Sequence, residues 1–209
     1  MSNFWNKFYQ RPLDKIPWQN TQADWFIELA DKGMLNGQKS LDLGCGTGMK
    51  SIYLAEKLEY ERCVGIDIAP KAIDFAKENA NKHNVTESCE FICHDVTDLS
   101  FLGDEQFDLV IDWAAIHCIS PNMRQKYAEQ IDQHCATGSK LLIRSFANKN
   151  QTKAFFEEAV EGVKDKVYFL SEVEFEKLFS NFSVLDKNTS RPKTKPDDFY
   201  FIEILFEKK

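Results

Sequence analysis

The sequence predicts an α/β domain built on a doubly wound, mostly parallel sheet of seven strands. Three observations lead to this fold class. Strand and helix patterns alternate from Lys39 onward, a glycine-rich turn joins the first strand to its helix, and the chain ends in two strands with no helix between them. Repeated strand–helix units form parallel sheets that helices cover on both faces. The 209 residues suit a single domain, with an N-terminal helical cap over residues 1–37 and the sheet over residues 38–209.

The cap is rich in aromatic residues. Its pattern predicts two helices around a proline-containing turn at residues 11–17. The second helix is indicated by apolar residues at helical spacing, which include Phe26, Ile27 and Ala30. We expect the cap to form a lid on the sheet.

Seven strands and five helices are predicted beyond the cap. The strands are residues 40–43, 62–67, 90–93, 107–112, 140–145, 182–187 and 199–206, and the helices are residues 49–58, 70–83, 121–135, 151–160 and 172–179. Pro70 and Pro121 suit the first turn of a helix, where the missing N–H has no intrahelical partner. A short loop joins the last two strands, which therefore should pair as an antiparallel hairpin. The expected architecture is a Rossmann-like sheet with an altered edge.

The composition excludes several functional classes. Lys and Arg total 26 against 33 Asp and Glu, a net charge of -7, which disfavours binding to nucleic acid through its phosphates. No apolar run is long enough to span a bilayer, and the first residues lack the pattern of a secretory signal. We expect a soluble, cytoplasmic protein. The six cysteines form no C-x-x-C pair and no zinc-finger grouping with histidine, so we expect reduced, buried thiols and no metal site.

The turn "LDLGCGTG", residues 41–48, is the strongest functional signal. Gly44 and Gly46 allow a sharp turn and close approach to a ligand on either side of Cys45, and Gly48 allows the helix to pack near the strand. Ligands of open α/β sheets bind at the carboxyl ends of such strands. The dinucleotide fingerprint is G-x-G-x-x-G, whereas this turn is G-x-G-x-G with Asp42 before it. A carboxylate suits an ammonium group better than a diphosphate, and S-adenosylmethionine carries an ammonium, a carboxylate for loop N–H groups, and a sulfonium.

Two further acids fit an adenosine cofactor. Asp67 ends the second strand, where its carboxylate can accept hydrogen bonds from both ribose hydroxyls. Asp95 ends the third strand, within reach of the adenine amino group, and Ile68 and Val96 could enclose the adenine ring. A turn or helix-capping role is the alternative for each acid alone. Acids at the ends of three successive strands favour the cofactor.

At these motifs the chain resembles the class I S-adenosylmethionine-dependent methyltransferases. The matching segments are "LDLGCGTG", "VGIDIAPKAIDFAKENA", "FICHDVTDL" and "FDLVIDWAAIHCI", and with the sheet pattern the resemblance extends over residues 39–209. It implies S-adenosylmethionine as cofactor, S-adenosylhomocysteine as product, and strand order 3-2-1-4-5-7-6 with the seventh strand antiparallel. The N-P-P-[YFW] and D-P-P-Y motifs of amino-methylating DNA enzymes are missing after the fourth strand. Their absence disfavours a DNA substrate but does not exclude an RNA substrate.

The aromatic cap is similar to that of the thiol, thiopurine and halide methyltransferases. The shared pattern is "W…Y…PW" before a helix and the glycine turn. The resemblance implies that Trp18 helps to enclose the cofactor, and we expect Trp5 and Tyr9 to line an apolar acceptor pocket under the lid. The alternative is a cap helix that simply packs on the core.

Four residues after the fourth and fifth strands are candidates for the acceptor site. His117 could take a proton near neutral pH, or be a buried histidine bonded to backbone. Asp112 could lie near the methionine part of the cofactor or fix a turn. Trp113 would contact the acceptor, and Arg144 could neutralise an acidic substrate or be a surface residue.

The predicted function is methyl transfer from S-adenosylmethionine to a small-molecule acceptor, with a soft nucleophile such as a thiol, thiopurine or halide favoured. Such nucleophiles need little base catalysis, whereas an amine or hydroxyl needs a proton acceptor. O- or N-methylation of a small molecule or protein side chain is the alternative, as is a non-catalytic cofactor-binding module. A nicotinamide-dependent oxidoreductase is disfavoured by Asp42 and the glycine spacing.

Overall fold

The structure is a computed structural model that describes residues 2–16, 24–149, 153–192 and 195–209. The strands in these residues are β1 (Lys39–Leu43), β2 (Arg62–Asp67), β3 (Cys89–Cys93), β4 (Phe107–Trp113), β5 (Cys135–Asn148), β6 (Phe155–Val160), β7 (Val163–Tyr168), β8 (Phe182–Ser190) and β9 (Phe199–Lys208). The α-helices are α1 (Ser2–Phe8), α2 (Asp24–Asp31), α3 (Met49–Lys57), α4 (Pro70–Lys82), α5 (Arg124–Gln133) and α6 (Glu172–Leu178).

Seven strands form one sheet in the order β3-β2-β1-β4-β5-β9-β8. The first five are parallel, and β9 pairs antiparallel with both β5 and β8. This confirms the predicted mostly parallel sheet, its order and its antiparallel last strand. Strand order reverses at β1, so the carboxyl ends of β1 and β4 flank the position where ligands of this architecture bind.

The helix predicted over residues 151–160 is wrong. Residues 151–152 lie outside the described residues, and β6 and β7 form an antiparallel hairpin outside the main sheet. Two residues with positive φ, Glu161 at 47° and Gly162 at 78°, connect these strands. Two successive left-handed residues give the turn whose twist matches a β-hairpin. Exposure along β6 also alternates with the two-residue period of a strand rather than that of a helix.

The two faces of the sheet carry separate apolar cores. One includes Leu41 and Leu43 of β1, and the other includes Leu109 and Ile111 of β4 together with residues of α2 and α3. A third cluster joins α1 to the start of α4 and to the β6–β7 hairpin. The hairpin therefore packs against the cap near the carboxyl edge of the sheet.

All six cysteines are free thiols, but they are not all buried. Cys45 is half-buried and Cys93 is exposed at the end of β3, so the expectation of uniformly buried thiols is wrong for these two. Among the described helices, none is long and apolar enough to cross a membrane.

Candidate cofactor and acceptor site

The glycine turn forms a tight backbone cradle at the end of β1. Gly44, Gly46 and Gly48 have φ values of +70°, +56° and +77°, a region that side chains with a Cβ rarely adopt. A Cβ at Gly48 would lie 2.6 Å from the Phe91 ring, and one at Gly44 would lie 2.8 Å from the Ala115 Cβ. Both contacts are with the protein itself, so a larger residue at Gly44 or Gly48 would collide with Ala115 or Phe91, and the turn requires glycine at these positions.

Hydrogen bonds tie this loop to β2. The Gly44 and Cys45 amides donate to the Ile66 carbonyl at 2.8 and 2.9 Å. The Gly46 amide donates to Asp67 Oδ2 at 2.9 Å, and the Ala69 amide donates to Oδ1 of the same carboxylate at 2.9 Å. Asp67 thus holds the glycine loop and the start of α4 together. Burial raises the pKa of Asp67 to about 6, although the hydrogen bonds oppose the shift.

Asp42 lies below the same loop and is 3% exposed. Its Oδ2 accepts a hydrogen bond from the Ser51 hydroxyl at 3.0 Å. Burial raises the pKa of Asp42, and the nearby Lys50 ammonium partly opposes this rise. The structure brings Asp42 and Asp67 together around the glycine turn, in the arrangement that the sequence predicts.

The residues expected near adenine follow the neighbouring strands. Ile68 is half-buried after β2, and Val96 is half-buried after β3. Asp95 is exposed, and its Oδ1 accepts hydrogen bonds from the Thr97 amide at 2.9 Å and hydroxyl at 2.8 Å. Asp95 therefore forms a local turn and keeps its second oxygen available at the carboxyl edge.

Asp112 differs from its expected position beside the cofactor. Its side chain is 0% exposed and accepts hydrogen bonds from the Ala115 amide at 2.6 Å, the Ile116 amide at 3.0 Å and the Tyr127 hydroxyl at 2.7 Å. Ala114 inside this turn has a φ of 90°, which is strained for a residue with a side chain. Asp112 fixes the strained turn after β4 rather than facing a ligand. Burial raises its pKa to about 7.

His117 is buried and bonded to backbone. It is 5% exposed, and its Nδ1 accepts a hydrogen bond from the Phe146 amide at 3.4 Å. Burial, with a smaller contribution from the Arg144 cation, lowers the pKa of His117 to about 3. The ring therefore stays neutral across physiological pH, which suits the structural alternative better than the predicted proton acceptor.

Trp113, the last residue of β4, pairs with Arg144 inside β5. The Arg144 Cζ lies 5.0 Å from the Trp113 ring centroid and 3.5 Å from that of Phe201. Phe201 packs on Phe146, with centroids 4.2 Å apart. The result is an aromatic wall, defined here as Trp113, Phe201 and Phe146, that begins beside the glycine turn.

Trp5 and Tyr9 lie away from this wall. Both belong to the α1 cluster that packs on Ala69 and Ala72 of α4 and on Val160 of the hairpin. Tyr9 is 3% exposed there, and the expectation that Trp5 and Tyr9 line the acceptor pocket stays a prediction. Trp18 lies outside the described residues.

Sequence reasoning missed Lys50 and Phe201. Lys50 follows the glycine turn by two residues, and its Nζ lies 5.0 Å from the Trp113 ring centroid. Phe201 reaches the site because β9 pairs antiparallel with β5, which sets it beside Phe146. The basic residue after "GTGM" was a visible signal for Lys50, whereas no local signal marks Phe201.

Comparisons with known proteins identify a methyltransferase domain in this chain. A methyltransferase domain model matches residues 41–138. The chain is 30% identical over 173 residues to the 2-heptyl-1-hydroxyquinolin-4(1H)-one methyltransferase of Mycobacteroides abscessus, covering 81% of this chain and 69% of that protein. It is also 28% identical over 130 residues to the ajmaline N-methyltransferase of Rauvolfia serpentina, covering 62% of this chain but only 43% of that protein.

The fold has close structural neighbours. The crystal structure of an S-adenosylmethionine-dependent methyltransferase from Clostridium acetobutylicum superposes with a TM-score of 0.73 at 16% identity, over 98% of both chains. The chain belongs to the class I S-adenosylmethionine-dependent methyltransferases. It is an enzyme of that family, and S-adenosylmethionine is its cofactor.

Proposed function

We propose that this methyltransferase acts on a small, largely aromatic molecule whose acceptor atom is a thiol sulfur or an acidic hydroxyl oxygen. The acceptor binds along the aromatic wall of Trp113, Phe201 and Phe146, where β4, β5 and β9 meet. The observation that carries the proposal is this wall beside the glycine turn. Ligand pockets are mostly apolar and aromatic with few polar groups, and the wall meets that description.

Different residues of the chain would bind different parts of the cofactor. The loop from Gly44 to Gly48 and Asp42 would hold its amino-acid part, Asp67 its ribose, and Ile68 with Val96 its adenine ring. When bound, S-adenosylmethionine supplies an electrophilic methyl group on a sulfonium, and S-adenosylhomocysteine is left. The glycine turn with its positive φ values, and the buried acids around it, fit that group.

The chemistry of the acceptor follows from what surrounds it. His117 is neutral with a pKa of about 3, and the Asp112 carboxylate already holds three donors. Neither side chain is placed to remove a proton from an amine or a simple alcohol. A group that ionises by itself near neutral pH needs no such base, so thiols and acidic hydroxyls are favoured over amines. The relative from Mycobacteroides abscessus is named for a 1-hydroxyquinolone, a flat ring with such a hydroxyl.

A labelled-methyl screen tests this function. The purified enzyme is incubated with methyl-labelled S-adenosylmethionine and matched aromatic thiols, N-hydroxy compounds, phenols, halides, amines and a protein mixture. We expect turnover on the thiols or acidic hydroxyls, inhibited by S-adenosylhomocysteine and reduced in Trp113→Ala. Turnover confined to amines or proteins would contradict the proposal, and the Lys57→Gln variant, altered at an exposed position of α3, is the matched control.

A further inference from the structure

Two cations flank the indole of Trp113. Lys50 Nζ lies 5.0 Å from its ring centroid, and Arg144 Cζ also lies 5.0 Å from it. Lys50 belongs to the first turn of α3, and Arg144 to β5, so two distant segments converge on one ring. Trp113 is half-buried, which leaves part of this site open to a ligand.

The hydrogen bonds of Arg144 are incomplete. Its Nε lies 3.2 Å from Glu203 Oε1 but is a buried atom without a hydrogen bond of good geometry. Glu203 already accepts hydrogen bonds from Asn188 Nδ2 and the Ser190 hydroxyl, both at 2.7 Å. Arg144 donates no side-chain hydrogen bond to any residue that the structure describes. A guanidinium carries five N–H donors, so a bound anion could accept hydrogen bonds from those that do not face Glu203.

Lys50 is in a similar position. Across residues 2–16, 24–149, 153–192 and 195–209 its ammonium makes no hydrogen bond or ion pair within 4 Å, and its neighbouring acid, Asp42, accepts from Ser51 instead. Burial lowers the pKa of Lys50 to about 8, and the repulsion from Arg144 adds to this. Burial also lowers the pKa of Arg144 to about 10, opposed by Glu203. An anion bound by both cations would offset the repulsion between them.

We propose that Lys50 and Arg144 form an anion-binding site across Trp113 that holds the ionised group of the methyl acceptor. This inference rests on the proposed function and narrows it to acceptors that bind as anions, such as arenethiolates, phenolates or deprotonated N-hydroxy groups. The aromatic wall receives the flat ring, and the two cations receive the charge.

The position of Arg144 favours the acceptor over the cofactor's own carboxylate as the anion. β1, which carries the glycine turn, and β5, which carries Arg144, are separated by β4. Neighbouring strands are about 4.8 Å apart, so Arg144 lies roughly 10 Å across the sheet from the turn. The acceptor anion and the cofactor carboxylate would both bind to these cations through negatively charged oxygen or sulfur, and the experiment below distinguishes between them.

Among the charges that the structure describes here, Lys50 is a cation without an ion pair, because its nearest acid, Asp42, accepts its hydrogen bond from Ser51. Asp42 and Glu203 face the two cations, Asp112 is engaged with its turn, and Lys195 and Arg124 pair with Glu158 and Glu174. Fixed cations favour the ionised form of a bound acid, so the apparent pKa of a bound acceptor falls. Such an acceptor would be ionised without a general base. Because the attraction already exists in the ground state, losing it should raise KM more than it lowers kcat.

The test uses 4-nitrophenol, whose anion has its own absorbance band, and its uncharged analogue 4-nitroanisole. Both are titrated into the enzyme saturated with S-adenosylhomocysteine, and the apparent pKa of bound 4-nitrophenol is read from the spectrum. We expect a pKa below the solution value and at least tenfold tighter binding than 4-nitroanisole. Lys50→Met and Arg144→Gln should each raise that pKa and reduce the preference about tenfold. Arg144→Lys should retain part of it, and Lys57→Gln should change nothing.

Three results would overturn the inference: no binding of 4-nitrophenol, binding without a pKa decrease, or equal binding of the two probes. A control with the cofactor tests whether the anion that Lys50 binds is instead the carboxylate of the cofactor. If Lys50→Met weakens S-adenosylhomocysteine but not 5′-methylthioadenosine, which lacks the amino-acid part, then Lys50 binds the cofactor carboxylate and the inference fails. Methyl transfer to thiols or acidic hydroxyls that bind without a pKa decrease would remove the anion site and spare the proposed function. Transfer to amines or proteins alone, or to no small molecule, would remove both.

Discussion

Replacing Asp67 by asparagine should separate cofactor affinity from stability. The Asp67 carboxylate accepts one amide hydrogen bond on each oxygen, from Gly46 and from Ala69, at 2.9 Å each, and each oxygen keeps a further lone pair. An asparagine keeps the shape but offers one acceptor oxygen and places an NH2 group against an amide donor. The ribose hydroxyls then lose a charged acceptor.

The magnitudes can be worked out from the buried charge. A rise of the carboxyl pKa from 3.8 to about 6 means that ionisation in the folded protein costs about 3 kcal/mol. Asparagine removes this cost but loses a charged hydrogen bond worth about 1.5–3 kcal/mol, so the free energy of unfolding at neutral pH should change little. Cofactor affinity has no such compensation. Losing about 1.5–3 kcal/mol raises Kd by roughly 10- to 150-fold.

Calorimetric titration with S-adenosylhomocysteine and urea denaturation measure the two quantities. Asp74→Asn is the matched control, because Asp74 is an exposed acid on α4. A Kd within twofold of wild type for Asp67→Asn would refute the assignment of Asp67 to the ribose. Loss of affinity together with a large loss of stability would instead indicate that the loop had unfolded.

Three further predictions concern the loop, pH and the buried histidine. Gly48→Ala places a Cβ 2.6 Å from the Phe91 ring. It should lower the free energy of unfolding by about 1–3 kcal/mol more than Gly162→Ala does, because Gly162 also has a positive φ, 78°, but has open space around it. Equal losses of stability in urea denaturation would show that the contact with Phe91 is unimportant. Affinity for S-adenosylhomocysteine should be highest well above pH 6 and should fall as the pH drops through about 6, because the ribose hydroxyls need the ionised Asp67 carboxylate. Calorimetry across that pH range should show a weaker pH dependence of affinity for Asp67→Asn. An equally strong pH dependence in that variant would contradict the mechanism. His117→Gln should leave the pH profile of turnover unchanged, because a pKa of about 3 lies below the working range; an ionisation lost from the kcat profile would restore His117 as a base.

The sheet was predictable because its signals are local. β1, β2 and β4 are short apolar runs next to glycine or acidic residues, and helices follow β1 and β2 at once, so the observed strand bounds differ from the predicted ones by a residue or so. The β6–β7 hairpin was missed because "AFFEEAVEGV" contains good helix formers and apolar residues at helical spacing. Only the pairing of residues 155–160 with 163–168, through the turn at Gly162, decides the matter.

The cofactor-binding residues could also be predicted from local sequence patterns, whereas the position of the acceptor-site residues depends on which strands pair in the folded protein. Asp42 and Asp67 end neighbouring strands, so their convergence follows from the topology. Arg144 and Phe201 meet only because β5 and β9 run antiparallel in a particular register. The packing of Tyr9 was not predictable for a related reason: its spacing predicts an amphipathic helix but does not say which surface the helix covers.

The most direct test of the account is a crystal structure of the enzyme with S-adenosylhomocysteine bound. We predict the amino-acid part on the Gly44–Gly48 turn, the ribose on Asp67, the adenine between Ile68 and Val96, and the sulfur facing Trp113. A nucleoside bound at another edge of the sheet, or a sulfur directed away from Trp113, would contradict both the site and the acceptor chemistry built on it.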